Sequence, residues 1–275
     1  NLVQVPLSED TLKIIDLSYY YADLTGGAFD ITAAPLYDVW GIDKSEPPAE
    51  PPTTELISSA RASMGKANAP VSSSRTIAFT TPLTRIDPRE LAVGYAVDLA
   101  LLQLRRNRID NALITYGHTA RCQGTADAVQ SWEVSVADPS TASHVLGRMT
   151  LPDAFALHTS LLYGKTVTIK GKKYGHIIDP RSGMPATGTL AVTVLGPTAT
   201  QASALAQALV VLGLEEGEAV LPRFERHEVM IIPDRQPLEL WMTPGFAVRF
   251  KADPSFTGTI HVIEAAAAPA ETAAP

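Results

Sequence analysis

Apolar positions along the chain change period several times, and each change marks a boundary between elements. After Ser8, the residues Leu12, Ile15, Tyr19 and Ala22 recur at helical spacing. Ser8 is a good cap, Glu9 and Asp10 suit the positive end of the helix dipole, and Gly26-Gly27 closes the run. The stretch through Pro35, Trp40-Gly41, Pro47-Pro48 and Pro51-Pro52 then predicts an irregular surface segment. A short helix opens at Thr54 with Leu56, Ala60 and Met64 on its buried side. A longer one begins at Asp87-Pro88-Arg89-Glu90. Here Asp87 is the expected N-cap, Pro88 fits the first helical position, and Glu90 completes a capping box. Leu91, Tyr95, Leu99 and Leu102 continue the helical spacing. Gly94 lies inside that run at a cost of about 1 kcal/mol relative to Ala, which predicts a close approach of another element to the backbone.

Beyond this helix the period shortens to that of strands: ALITY (112–116), WEVSV (132–136), VLGRMTL (145–151) and KTVTIK (165–170). LAVTVL (190–195) leads into a helix expected from Thr198 to Gly213, and EVMII (228–232) with LELWM (238–242) predicts a hairpin across Pro233-Asp234. Helices and strands mix without regular βαβ alternation, so the expected class is α+β, a single domain over 1–263. From Glu264 the chain reads EAAAAPAETAAP, so 264–275 is expected to be an Ala/Pro-rich disordered tail or linker. The opening Asn1-Leu2-Val3-Gln4-Val5 has the character of mid-strand, which leads us to expect a segment ahead of it. No signal peptide or basic leader is visible in the chain.

Composition narrows the function. Hydrophobic residues at 45% and charged residues at 19% describe a globular core, and a net charge of −7 argues against a general nucleic-acid surface. The single cysteine, Cys122, excludes an internal disulfide and a cysteine-based zinc site, and reads as a buried small hydrophobe.

Three stretches have compositions unusual for plain scaffold. Thr25 to Thr32 places small residues, one aromatic and an acid together; it fits either a helix C-cap with Asp30 capping the next turn, or a backbone open to a ring-bearing ligand. His176-Ile177-Ile178-Asp179-Pro180-Arg181-Ser182-Gly183-Met184-Pro185 packs a histidine, an acid and an arginine into a rigid turn. Such a turn suits proton transfer, or else a local Asp179–Arg181 ion pair. The Asp87 helix start could receive a phosphate, a weak signal because many helices begin this way. There is no Walker A loop, no GxGxxG, no nucleophile elbow around Ser160 and no metal-ligand spacing among the six histidines.

Taken in order, these stretches resemble the ApbE family of flavin transferases. GAFDITAAPLYDVWG (27–41) looks like its flavin-site segment. DPRELAVGYAVD (87–98) is similar to its D-x-x-x-x-x-K/E-G-Y-A-x-D helix, and HIIDPRSGMP (176–185) to its H-x-I-D-P-x-T/S-G-x-P loop. LAVTVLGPTATQASALAQALVVLG (190–213) and the run from Trp241 to Phe246 follow its last strand and helix and its W-x-x-P-x-F. The resemblance implies a T-fold-related domain with a mixed or antiparallel sheet. It implies an FAD:protein FMN transferase that moves FMN from FAD, with Mg²⁺, to a Thr or Ser of an acceptor protein. Ala28, Phe29, Asp30, Asp87 and Ile178 would then contact FAD, and His176 would handle the proton. It also implies a periplasmic or membrane-anchored location.

Several positions depart from the family pattern. Its Mg²⁺ ligands, an Asp and a Thr, are Ser203 and Gln207 here, so the expected metal set is empty of charge. Its Lys or Glu before the helix glycine is Val93, a small-residue pair is Arg89-Glu90, and its Gly-Gly after ALITY is Tyr116-Gly117. Two readings remain open: a transferase with activity weakened or lost, and a non-catalytic flavin- or partner-binding assembly protein. The family's strand and helix ahead of Asn1 are also absent, which predicts a bare sheet edge and a homodimer or separate N-terminal fragment to cover it.

Overall fold

The structure is a computed structural model that describes residues 3–42, 44–127, 130–141 and 144–264. The tail expected at 264–275 lies, from residue 265 on, outside the described residues. In chain order the helices are α1 (Glu9–Leu24), α2 (Ala34–Trp40), α3 (Thr54–Ala62), α4 (Arg89–Arg106), α5 (Ala199–Val220) and α6 (Pro244–Ala247). The strands are β1 (Val3–Pro6), β2 (Thr76–Phe79), β3 (Ala112–Tyr116), β4 (Thr119–Gln123), β5 (Trp132–Ala137), β6 (Val145–Leu151) and β7 (Ala156–Leu161). They continue with β8 (Thr166–Ile169), β9 (Lys172–Gly175), β10 (Thr189–Gly196), β11 (Glu228–Pro233), β12 (Glu239–Met242), β13 (Phe250–Ala252) and β14 (Thr259–Val262).

A seven-stranded sheet ordered β14-β12-β11-β10-β7-β4-β3 forms the centre, antiparallel throughout except where β12 runs parallel to β14. The expected α+β class and mixed sheet are both present. Because strand side chains alternate, each central strand feeds two cores. Val192, Val194, Val229 and Ile231 face a helical layer that includes α5, Ile15 and Tyr21 of α1 and Leu91 of α4. Ala191, Leu195, Met230 and Ile232 face the other way, onto a three-stranded sheet ordered β13-β6-β5 that contributes Val136, Leu146, Met149 and Leu151. The expected hairpin is the antiparallel pair β11–β12.

Several local expectations need correction. The stretch after Gly27 is no surface loop: Ile31–Ala33 is a 3-10 turn, α2 follows, and Pro35, Leu36 and Trp40 are buried. Pro35 was misleading because proline is tolerated in a helix's first turn, where its missing N–H has no partner to lose. In α3 the inward side is Ala60 with Ile57 and Met64, while Leu56 is exposed. The buried stripe of α1 runs through Ile15, Ser18 and Tyr21, and that of α4 through Leu91, Gly94, Val97 and Leu101, with Leu102 exposed. In α5 the expected stop at Gly213 is a break (φ 71°, ψ −166°), after which helix resumes to Val220.

The close approach foreseen at Gly94 is that of α5. A Cβ on Gly94 would lie 2.6 Å from the Ala199 carbonyl oxygen and 2.8 Å from the Thr200 Cα. One turn further along α4, Asp98 meets the same point. Its carboxylate accepts the N–H groups of Ala199 (2.8 Å) and Thr200 (3.0 Å) and the Thr200 hydroxyl (2.5 Å), and pairs with Arg121 of β4 at 2.5 Å. Thr198 takes the next N–H, that of Gln201, at 3.2 Å. The open donors at the start of α5 are thus satisfied largely from another helix. On β7, buried His158 bridges the Thr119 hydroxyl (2.8 Å at Nδ1) and the Ser160 hydroxyl (3.3 Å at Nε2).

Two predictions follow from these contacts. Asp98→Ala should lower the unfolding free energy by about 3 kcal/mol, because it strands the Arg121 charge as well as the α5 donors. Asp98→Asn, which keeps one acceptor oxygen, should fall between; denaturant melts of the two variants read this directly. For His158, burial lowers its pKa from 6.5 to about 3. The unfolded chain takes up its proton first as pH falls, so stability is fully present above pH 6.5 and is lost downward through that window. The loss should approach about 1.4 kcal/mol per pH unit from this group. His158→Gln should flatten the slope of unfolding free energy against pH, which isolates this group from His176 and His227, themselves lowered by burial.

Candidate functional site

The first wall of the site is the turn after α1. Gly26 and Gly27 adopt φ of 60° and 81°, and the Gly27 N–H reaches back to the Ala22 carbonyl at 2.8 Å. The Thr25 hydroxyl donates to the Tyr21 carbonyl (2.7 Å) and accepts the Phe29 N–H (3.2 Å), which fixes where the aromatic ring enters the core. Asp30 then caps the 3-10 turn, its Oδ1 accepting the Thr32 N–H at 2.8 Å and the Thr32 hydroxyl at 2.6 Å. Burial pushes the Asp30 carboxyl up, against those two hydrogen bonds. The capping reading of this segment is therefore present in full.

The second wall is the start of α4. The Asp87 N–H donates to the Ile31 carbonyl at 2.7 Å, so the helix start is bonded to the first wall. Its capping differs from expectation. α4 begins at Arg89, and Pro88 in the cap position offers no side-chain bond. Asp87 accepts the Arg89 N–H at 3.1 Å and pairs with the Arg89 guanidinium at 2.6 Å. Glu90 closes no capping box; it faces the cavity, where burial raises its carboxyl.

The third wall is the histidine loop. The Asp179 N–H donates to the Met184 carbonyl (2.8 Å) and the Gly183 N–H to the Asp179 carbonyl (2.7 Å). Gly183 sits at φ 77°, where a Cβ would lie 2.4 Å from Ile57 of α3. Trp40 of α2, buried beneath, donates its indole N–H to the Gly183 carbonyl at 2.8 Å. Asp179 and Arg181 form the expected local ion pair, and Arg181 also reaches Glu216 at 2.6 Å. His176 lies at the loop's entry, with Nδ1 at 3.2 Å from the Lys165 carbonyl. A carbonyl only accepts, so this bond places the proton on Nδ1 and leaves Nε2 as the acceptor. Burial also lowers the His176 pKa, which keeps the ring neutral at pH 7.

These walls meet. Phe29, Asp30, Asp87, Arg89, Glu90 and His176 line one cavity of about 30 Å³, with Tyr37 and Gln207 among its remaining lining. That volume holds about one water. Burial drives the Tyr37 hydroxyl up, Asp87 and Glu90 add to the shift, and the Gln207 amide lies beside it. The Gln207 Oε1 is buried without a partner. Three residues singled out from sequence are set back from this cavity. Ala28 and Ile178 are core residues, each 1% exposed, and Ser203 is fully buried with its hydroxyl donated to the Thr200 carbonyl at 2.9 Å. Tyr37 escaped sequence reasoning because its segment was read as loop; as a helix, 34–40 places it on the cavity side. A larger groove of about 1140 Å³ runs between α1, α4 and β4, lined by Lys13, Tyr95, Asp98 and Arg121, and none of the residues expected to touch cofactor lines it.

Comparison with known proteins is consistent in direction. The model of the ApbE family matches residues 1–231. An FAD:protein FMN transferase of Klebsiella pneumoniae is 28% identical over 245 residues, 88% of this chain and 70% of that protein. The crystal structure of the ApbE protein of Thermotoga maritima superposes with a TM-score of 0.80 at 26% identity, over 90% of this chain and 80% of the other. The flavin transferase ApbE of Vibrio cholerae gives 0.77 at 26% identity, over 90% and 79%. With a family match over most of its length, and with the motifs of that family folded around one cavity, this chain belongs to the ApbE family.

Proposed function

We propose that this chain binds FAD at the cavity and transfers its FMN half to a Thr or Ser of an acceptor protein, in a reaction weakened by the carboxylate missing at Ser203. The observation that supports this reading is the meeting of Phe29, Asp30, Asp87 and His176, from distant parts of the chain, around one cavity. In the transfer, the acceptor hydroxyl oxygen forms a bond to the FMN phosphorus, the pyrophosphate bond breaks, and AMP leaves. The hydroxyl proton passes to His176 Nε2, the nitrogen left without a proton when Nδ1 donates to the Lys165 carbonyl, on a ring already neutral at pH 7. Because the His176 pKa is lowered, the base stays competent to a more acid pH than an ordinary histidine would.

Magnesium does not fit the residues present. Mg²⁺ requires oxygen ligands with a carboxylate among them. The Ser203 hydroxyl is committed to its own helix, and Gln207 offers one neutral oxygen. Of the nearby carboxylates, Asp30 is engaged with Thr32, Asp87 is paired with the Arg89 guanidinium, and Glu90 lies within the field of that same guanidinium, a cation that repels a second one. Among the described residues no cluster of three or more His, Cys, Asp or Glu stands in metal-binding geometry. These positions, with Val93, favour the second reading, a non-catalytic flavin- or partner-binding assembly protein. A partner could pair with β3, an outer strand of the central sheet, as a second copy or an N-terminal fragment. The periplasmic or membrane-anchored location rests on the family resemblance; among the described residues no helix is long and apolar enough to cross a membrane.

Incubation of the protein with FAD and a Thr-containing acceptor, followed by in-gel flavin fluorescence, separates the readings. Slow labelling is expected; a protein that turns yellow yet never labels an acceptor belongs to the second. His176→Ala should cut labelling by on the order of 10²–10⁴ with the melting temperature unchanged. Parallel loss of both would make His176 structural. Calorimetry should show no Mg²⁺ uptake at millimolar concentration by the native protein, and uptake by the Ser203→Asp, Gln207→Thr double variant. Tight Mg²⁺ binding by the native chain would mean that other oxygens coordinate it.

A further inference from the structure

A pyrophosphate brought to this cavity meets a charge problem. Its lining includes Asp30, Asp87 and Glu90, and a divalent cation has no fitting ligand set at Ser203 and Gln207. An anion placed among carboxylates binds only where a cation offsets it. Arg89 is the cation in that lining. Its guanidinium stands at 2.6 Å from Asp87, and its side chain is about half exposed, at 54%. It lies close enough to His176, Glu90 and Tyr37 for its charge to act on all three.

The cavity is also too small for a nucleotide as it stands, so something in its lining must move. Phe29, Ile31, Leu91 and Ile177 are core residues and are at most 4% exposed. Arg89 is the exposed and flexible member, and its planar fork matches phosphoryl oxygens as well as it matches a carboxylate. We propose that this site takes the pyrophosphate of FAD without a divalent cation, the Arg89 guanidinium exchanging Asp87 for phosphoryl oxygens as the nucleotide enters. The inference rests on the FAD-binding reading above and replaces its family metal with a residue of this chain.

FAD titration followed by flavin fluorescence, in excess EDTA and in excess MgCl₂, tests the exchange. The native protein should bind FAD equally in both. Arg89→Ala should weaken binding about 10- to 100-fold in EDTA, the scale of a lost charged hydrogen bond. Removing the guanidinium also leaves the Asp87 carboxylate without that partner, so the melting temperature of each variant is read alongside its affinity. Arg89→Lys keeps the charge without the fork and should fall between, which also covers the case where the alanine variant is destabilised. Native binding that needs Mg²⁺ would overturn the inference and leave the FAD-binding reading intact. Unchanged affinity in Arg89→Ala would remove Arg89 from the role. Absence of FAD binding in both media would overturn the FAD-binding reading itself.

Discussion

The carboxylate of Asp98 joins the two longest helices at the one point where their backbones come closest. Gly94 leaves room for the Ala199–Thr200 backbone, and Asp98, one turn along, occupies the donors that such a tight approach would otherwise leave dry. A helix N-terminus buried without partners is costly, so this contact sets both the crossing point of α4 on α5 and the direction in which each continues. In one direction α4 runs back to Arg89, Asp87 and the cavity; in the other, α5 runs on to Gln207, which lines the same cavity. Arg121 extends the joint to β4, and so ties the helical layer to the sheet. The site sits two helical turns from its own anchor, which is why its chemistry can vary while its geometry stays.

The histidine loop depends on a different joint. Its turn needs a left-handed residue at Gly183, and the space for that turn is set by Ile57 of α3 and closed from below by the Trp40 indole. Helices α2 and α3, with β8 and β9, form a small core of their own through Trp40, Ala60, Val167 and Ile169. His176 therefore stands where two cores abut, with Ile177 in the large one and Ile178 in the small one. Rigid packing on both sides of a half-buried ring holds its orientation, with the Leu162 and Lys165 backbones as its hydrogen-bond partners.

Much of this was legible in the sequence, and what was not has identifiable physical causes. Strands with apolar side chains on both faces, such as 190–195 and 228–232, read clearly. β4 and β7 did not, because their buried positions include Thr119, Gln123, His158 and Ser160, polar groups whose burial is permitted by hydrogen bonds that no hydropathy pattern reveals. The buried faces of α1 and α4 were misplaced for a related reason. Ser18 and Gly94 lie at close contacts where small size matters more than apolarity, so the true stripe is less hydrophobic than the one beside it. The site motifs were legible as a set, and the structure gathers Asp30, Asp87 and His176. Sequence could not tell that Ala28 and Ile178 present core side chains, nor that Ser203 turns its hydroxyl into its own helix.

The pattern of what is kept and what is changed has its own logic. Replacing an Asp by Ser203 and a Thr by Gln207 leaves the α5 backbone undisturbed, since serine satisfies itself on the Thr200 carbonyl and glutamine fills space beside Tyr37. A serine at 203 keeps a carboxylate out of the buried interior, where an unpaired one would be costly to keep ionised. Arg89 adds positive charge across the cavity, and its pairing with Asp87 satisfies both groups in the absence of ligand. A guanidinium held at Asp87 also opposes a second cation at the same carboxylate. Arg89 and Asp87 therefore act as one electrostatic unit, and a change at either is felt by the other.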